Sequence, residues 1–483
     1  MPRRPIAQGI QSASTALVSN LCSLSALKAP RTPTPAFVDE ESQPASLLLI
    51  GFPFSPEAME APLRPLRLRC SVQNYDWGRR GEDSTVARLF ERNSGAEIDP
   101  SRPYAEFWMG THESGPSFTG SDSEEVTLKK WIRENPGALG DKVVAKWGTD
   151  LPFLFKILSV ASALSIQAHP DKELARMLHR MRPNVYKDPN HKPEMAIALT
   201  EFKALCGFVS MEELKDVLIG VPEIAELVGN DETNKIICMR ELNGYVNAKA
   251  VIQSVFTKLM SANKDAILAL VSKLKNRLEA ENKVNWSIYI RRLSEREQLA
   301  LLLEKQYHAD VGVLAAFFLN YVKLSPGEAL YIGPNEPHAY ISGECIECMA
   351  ASDNVVRAGL TPKYIDVPTL CSMLTYKQAF PQILRGIQLN PFITRYTPPF
   401  DEFEVDCCIL PSKESVVFSP IPGPSIFIIV TGEGRLQTGS TDEERVMEGD
   451  VYFVPAHNEI HLSAAPDKPI HLYRSGVNSR IFG

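Results

Sequence analysis

The sequence predicts a mainly β protein with a helical insert. Three observations carry this reading. Short strands separated by Gly and Pro dominate residues 63–208. From Ser210 to about His308 the chain becomes rich in Leu, Lys, Glu and Ala at helical spacing. Strand character then returns and holds to the C-terminus. Two β barrels or sandwiches around an all-α block satisfy that order.

In order along the chain, S-V-Q-N-Y-D-W-G (71–78) is a short polar–apolar alternation closed by Gly. L-P-F-L-F-K-I-L-S-V (151–160) reads as a strong strand, and L-S-I-Q-A-H-P (164–170) as a second that Pro170 stops. The helical block opens at S-M-E-E (210–213), a capping box with Ser210 as N-cap and Glu213 three residues on. Residues 247–260 and 265–278 each carry an apolar stripe of period near 3.6. Strands resume at 314–324, 328–334 and 343–350, and again at 425–434 and 448–456. The expected units are 1–62, an extension; 63–209 with 325–385, the first β domain; 210–324, the helical insert; and 386–483, the second β domain.

A chain of 483 residues exceeds one ordinary core, which agrees with several domains. Its net charge of −7 makes nucleic acid and membrane surfaces poor partners, and a monomer is expected. An anionic small molecule would need a local cluster of Lys and Arg. The longest apolar run, residues 45–54, is short of a membrane span and broken by Gly and Pro. The nine Cys form no dense framework, so they read as reduced thiols of a cytoplasmic protein. Residues 1–38 hold four basic and no acidic residues, the composition of an organelle transit peptide. The alternative is a disordered extension upstream of Met59, itself a candidate start.

The chemistry-bearing residues fall at strand ends. Ser165, Gln167 and His169 share one face if 164–170 is a strand. In H-K-P-E-M-A (191–196), Lys192 and Glu194 share a face and His191 takes the other, so the histidine there is the lesser ligand if that face lines the pocket. His338 follows a Pro/Gly turn in Y-I-G-P-N-E-P-H-A-Y (331–340). Two imidazoles, a carboxylate and an amide oxygen suit Zn²⁺ with a position left for water or substrate. C-I-E-C (345–348) invites a second metal reading, but on a strand Cys345 and Cys348 point to opposite faces. The same alternation turns Glu347 away from Glu344. Glu347 is then a general-base candidate, with a structural ion pair as the alternative. Lys156 inside F-L-F-K-I-L, with Lys192, Arg357 and Lys363, could form a positive patch. Each alone reads better as a solvated or paired surface charge.

Taken together, Y-D-W-G (75–78), Y-A-E-F-W-M-G-T-H (104–112), S-I-Q-A-H-P-D-K (165–172), H-K-P-E-M-A (191–196), G-P-N-E-P-H-A-Y (333–340) and S-D-N-V-V-R-A-G-L-T-P-K (352–363) resemble the type I phosphomannose isomerase family. The resemblance runs from about residue 65 to the end. It implies two cupin-like (jelly-roll) β domains with an inserted helical domain. It implies one Zn²⁺ per chain on Gln167, His169, Glu194 and His338, and Arg357 as the active-site arginine. Glu347, Lys156, Lys192 and Ser165 match positions lining the family's pocket. The implied reaction interconverts D-mannose 6-phosphate and D-fructose 6-phosphate through a cis-enediol, supplying mannose 6-phosphate for GDP-mannose synthesis. In that reaction Glu347 moves the proton, Arg357 and Lys192 serve catalysis, and Lys156, Ser165 and Lys363 help bind substrate. No Q-x-H segment follows residue 380, so His457 and His461 are expected to form no second metal site. The rivals are a metal cupin of other activity, such as a dioxygenase or epimerase, and a sugar-phosphate sensor without turnover.

Overall fold

The computed structural model describes residues 63–120, 125–239, 245–282, 292–439 and 443–483. The extension 1–62, with its apolar run 45–54, lies outside the described residues. The organising element is the long strand His338–Ala350. Its second half pairs antiparallel with Phe153–Val160 on one side and Glu194–Ala198 on the other. Its first half pairs instead with Phe202–Phe208. Gly343 is the hinge between the halves: its φ is +111°, and a Cβ there would lie 2.3 Å from the Glu201 carbonyl oxygen. The eleven-stranded assembly built on this strand holds the candidate site.

Alternation along each strand sorts the side chains. Phe153, Phe155 and Ile157 face one way, with Phe107, Met195, Ile197 and Ile346. They share a buried core with Ile426, Ile428, Phe453 and Tyr473 of the C-terminal strands. Each large side chain so buried stabilises the contact by about 1.5–3 kcal/mol. The other face carries Lys156, Glu194 and Glu347, all nearly inaccessible to solvent. The hydrophobic packing of one face therefore fixes the polar pocket on the other.

The C-terminal strands form a seven-stranded and a four-stranded sheet around an apolar interior, so the expected mainly β architecture with a helical insert holds. Leu66–Leu68, at the start of the first stretch of strands, pairs with Val451–Val454 and completes the seven-stranded sheet. The helical block begins at Met211–Gly220, where Ser210 and Glu213 form both bonds of the capping box. Tyr245–Ser261 and Lys264–Asn282 span the two apolar stripes.

Two expectations need correction. Residues 63–208 contain more than strands and turns: Thr85–Ser94, Leu128–Glu134, Asp141–Trp147 and Lys172–Met181 are helices. Side chains of Ser84, Thr127 and Asp171 cap three of them, satisfying N–H groups that a short helix cannot satisfy internally. The strand expected over 314–324 starts only at Leu319. Val311–Ala315 is helical because the Asp310 carboxylate caps the Gly312 N–H, and it also accepts from Leu360 N–H.

Candidate metal and substrate site

His169, Glu194 and His338, all buried, converge on the eleven-stranded assembly, with one ligand atom from each within 4.8 Å of the others. They arrive from three segments. His169 follows the short strand Ile166–Ala168, Glu194 opens Glu194–Ala198, and His338 opens the long strand. His169 Nε2 lies 3.3 Å from Glu194 Oε1, and His338 Nε2 lies 3.3 Å from Glu194 Oε2. Neither Nε2 makes a hydrogen bond among the described residues, although both are fully buried. Two buried ring nitrogens without partners are costly unless something binds them.

The opposite ring nitrogens explain their state. His169 Nδ1 is 2.7 Å from the Asn354 carbonyl oxygen, and His338 Nδ1 is 3.0 Å from the Glu336 carbonyl oxygen. A carbonyl only accepts, so each Nδ1 carries the hydrogen and each Nε2 presents a lone pair. Burial also depresses the His169 imidazole to about 4, outweighing the pull of Glu194. The ring is therefore neutral at physiological pH. Burial pushes the Glu194 carboxyl up, but Lys192 with His169 and His338 holds it well below its usual range. Two imidazoles, each with Nδ1 held by a backbone carbonyl, and one carboxylate fit Zn²⁺.

Gln167 is the cross-strand neighbour of both His338 and Arg357, which puts these three on one face. Ser165 Oγ donates to Gln167 Oε1 at 3.4 Å, a long contact that orients the amide oxygen. Lys192 Nζ is 3.2 Å from Glu194 Oε1. His191 turns the other way and pairs with Glu402 at 2.8 Å. Cys345 and Cys348 lie in separate hydrophobic clusters, so C-I-E-C chelates nothing.

A second polar cluster adjoins the first. Lys156 Nζ lies 3.0 Å from Glu347 Oε2 and 3.1 Å from Glu106 Oε2. Burial disfavours its charge, but Glu106 and Glu347 outweigh burial and raise its basicity. Burial raises the Glu347 carboxyl, Lys156 lowers it, and the net shift is upward. Trp108 Nε1 donates to Glu106 at 2.6 Å, and the Lys156 ammonium sits 4.9 Å above the Trp108 ring. Glu106 and Trp108 were not singled out from sequence. The available signal was E-F-W-M (106–109), where Glu106 and Trp108 share one face of an otherwise apolar strand. Tyr340 was missed as well: its hydroxyl is buried without a hydrogen-bond partner among the described residues, its charged form disfavoured by burial and by Glu347.

Arg357 is half-buried, and burial alone lowers its basicity. Lys156 and Lys192 are paired with carboxylates, whereas Arg357 makes no ion pair among the described residues. Lys363 is exposed in the turn beyond the Val356–Gly359 strand, its backbone N–H donating to Thr361 Oγ1 at 3.1 Å. The structure does not join it to the buried cluster.

Three family models match the chain: the phosphomannose isomerase type I catalytic domain at 66–211, its helical insertion domain at 227–319, and its C-terminal domain at 396–441. Mannose-6-phosphate isomerase 1 of Arabidopsis thaliana is 57% identical over 424 residues, 87% of this chain and 96% of that protein. The Homo sapiens mannose-6-phosphate isomerase is 39% identical over 429 residues, 86% of this chain and 99% of that one. A solved mannose 6-phosphate isomerase bound with zinc and yttrium superposes with a TM-score of 0.72 at 27% identity, covering 86% of this chain and all of that one. A mutant phosphomannose isomerase from Salmonella typhimurium gives 0.73 at 28%, with the same coverage.

Proposed function

The chain belongs to the type I phosphomannose isomerase family, and from that premise we propose a division of labour among its site residues. It is an aldose–ketose isomerase acting on mannose 6-phosphate and fructose 6-phosphate, with Zn²⁺ as cofactor. His169, Glu194 and His338 hold the metal, with Gln167 as the fourth, neutral ligand. The observation that carries this is the pair of buried Nε2 lone pairs aimed at one carboxylate.

The reaction moves a proton between C2 and C1 and needs a base, a stabiliser for the enediolate and a clamp for the phosphate. Bound zinc supplies a positive charge that polarises substrate oxygens. Glu347 takes and returns the proton, its affinity for it raised by burial. Lys156 keeps that carboxylate oriented and, shared with Glu106, does not quench it completely. Arg357, free of carboxylate partners among the described residues, meets the negative charge of the enediolate. Lys192 stays within reach of the reacting oxygens through its bond to Glu194. Ser165 and the exposed Lys363 contribute to phosphate binding at the rim. Product mannose 6-phosphate feeds GDP-mannose synthesis in the cytoplasm.

Purified protein with mannose 6-phosphate, coupled to detection of fructose 6-phosphate, tests the reading. Turnover that a chelator abolishes and Zn²⁺ restores is expected. No turnover in metal-replete protein would overturn it.

A further inference from the structure

The hydrogen bond that fixes the His169 ring leads back to one side chain outside the ligand set. His169 Nδ1 donates to the Asn354 carbonyl. Asn354 is almost fully buried, and its side-chain Nδ2 donates to the carbonyls of Asp188 at 2.7 Å and Asn190 at 2.9 Å. Asp188 Oδ1 accepts from Ser352 Oγ at 2.8 Å, and Oδ2 accepts from the Asp353 N–H at 2.8 Å. Asp188 Oδ1 also accepts from the Asn190 N–H at 2.9 Å. That last bond is an ordinary Asx turn in D-P-N, enough to explain an Asp at this position if it stood alone. The other bonds cross the chain, and a turn does not need them.

They tie together the segments that deliver the site. Residues 188–190 lead directly into Lys192 and Glu194. Residues 352–354 lead directly into Arg357. Asn190 Nδ2 adds a 3.0 Å bond to the Ala351 carbonyl, and the Ala350 N–H donates to the Pro193 carbonyl. A carboxylate bonded to several donors is held more firmly than neutral pairs would hold it.

We infer that Asp188 is a positioning residue for the metal centre. Its carboxylate clamps 352–354, and the clamped Asn354 carbonyl sets both the direction and the tautomer of His169. The same clamp keeps Glu194 and Arg357 at a fixed separation. This inference rests on the metal-site reading above.

The test uses full-length protein loaded with Co²⁺, whose visible absorption reports ligand geometry, and Zn²⁺ affinity measured against a competing chelator. Asp188→Asn should weaken Zn²⁺ binding by about 10–100-fold. It should also shift the cobalt bands at saturating metal, and lower kcat at saturating Zn²⁺ more than it changes KM. Asn354→Ala should do the same, and the double variant should cost no more than the worse single one. Ser352→Ala removes one hydroxyl and no charge, should move affinity and spectrum in the same direction by less, and carries the test if Asp188→Asn does not fold. Cobalt bands and zinc affinity identical to wild type in these variants would overturn the clamp, as would additive losses in the double variant. A wild-type chain that binds no Co²⁺ would overturn the metal site itself, and the clamp with it.

Discussion

Lys156 donates a 3.0 Å hydrogen bond to Glu347 from the strand alongside it, with both side chains almost completely buried. The pairing keeps a lysine charged where burial alone would neutralise it, while burial still raises the proton affinity of Glu347 despite the opposing pull of Lys156. A carboxylate whose proton affinity is raised in this way is suited to accept and return a proton. Glu347→Gln should therefore lower kcat by about 10²–10⁴-fold. Zinc content, read by metal analysis, should stay at the wild-type level. Full activity in this variant would remove Glu347 from the reaction.

Glu106 shares the same ammonium and raises the Glu347 carboxyl by its own negative charge. Glu106→Gln gives Lys156 wholly to Glu347. The proton affinity of Glu347 should fall, so the acid limb of the kcat/KM profile should move to lower pH. A pH–rate series on wild type and variant reads this directly. A limb that stays in place would mean that another group sets it.

Gln167 and His191 make a paired test of the ligand set. Gln167 lies opposite His338 and Arg357, whereas His191 bonds to Glu402 away from the cluster. Gln167→Ala should weaken zinc binding by about tenfold or more and reduce activity with it. His191→Ala should leave zinc affinity within about twofold. It should instead destabilise the fold by about 1–3 kcal/mol, because Glu402 is left buried without its partner. Loss of zinc from the His191 variant would mean that the Lys192–Glu194 segment depends on it.

The pattern of these residues shows what a sequence can carry. Period-two alternation needs no tertiary information, and it separated Glu347 from Glu344 and Lys192 from His191. In the structure Glu344 turns to Thr85, accepting from its hydroxyl at 2.6 Å, while Glu347 meets Lys156. Alternation says nothing about which strands become neighbours, so the role of Glu106 beside Lys156 was not legible. Nor was the Asp188–Asn354 link, whose partners lie more than 160 residues apart. The helices Thr85–Ser94 and Lys172–Met181 were missed for a different reason. Each is a short helix whose start depends on a single capping side chain, Ser84 or Asp171, and a short apolar pattern does not separate helix from strand.

Arg357 differs from the pocket lysines in having burial as the only influence on its charge. A half-buried guanidinium with no ion pair among the described residues gains most when an anion arrives. Arg357→Ala should reduce kcat by about 10²–10³-fold, the range seen when a single charge-stabilising donor is lost. Zinc affinity should hold. If zinc is lost instead, Arg357 acts on the site through its neighbour Gln167, and its role is structural.

Metal-free protein should lose stability in a specific acid window because of His169. Burial lowers its folded pKa to about 4, against about 6.5 in an unfolded chain. Between those values the unfolded chain binds a proton that the folded chain refuses, so stability rises with pH there. The contribution is complete above about pH 6.5 and is lost as the pH falls towards 4, up to about 3 kcal/mol in all. Carboxylates such as Asp366, held below their usual range, add acid sensitivity of their own, so the slope in wild type alone does not isolate the histidine. His169→Gln removes the titration and leaves those carboxylates in place. Thermal midpoints between pH 5 and 6.5 should therefore fall less steeply in the variant than in metal-free wild type. Equal slopes would mean that the buried imidazole is already protonated in the folded chain, and a protonated Nε2 has no lone pair to offer a metal.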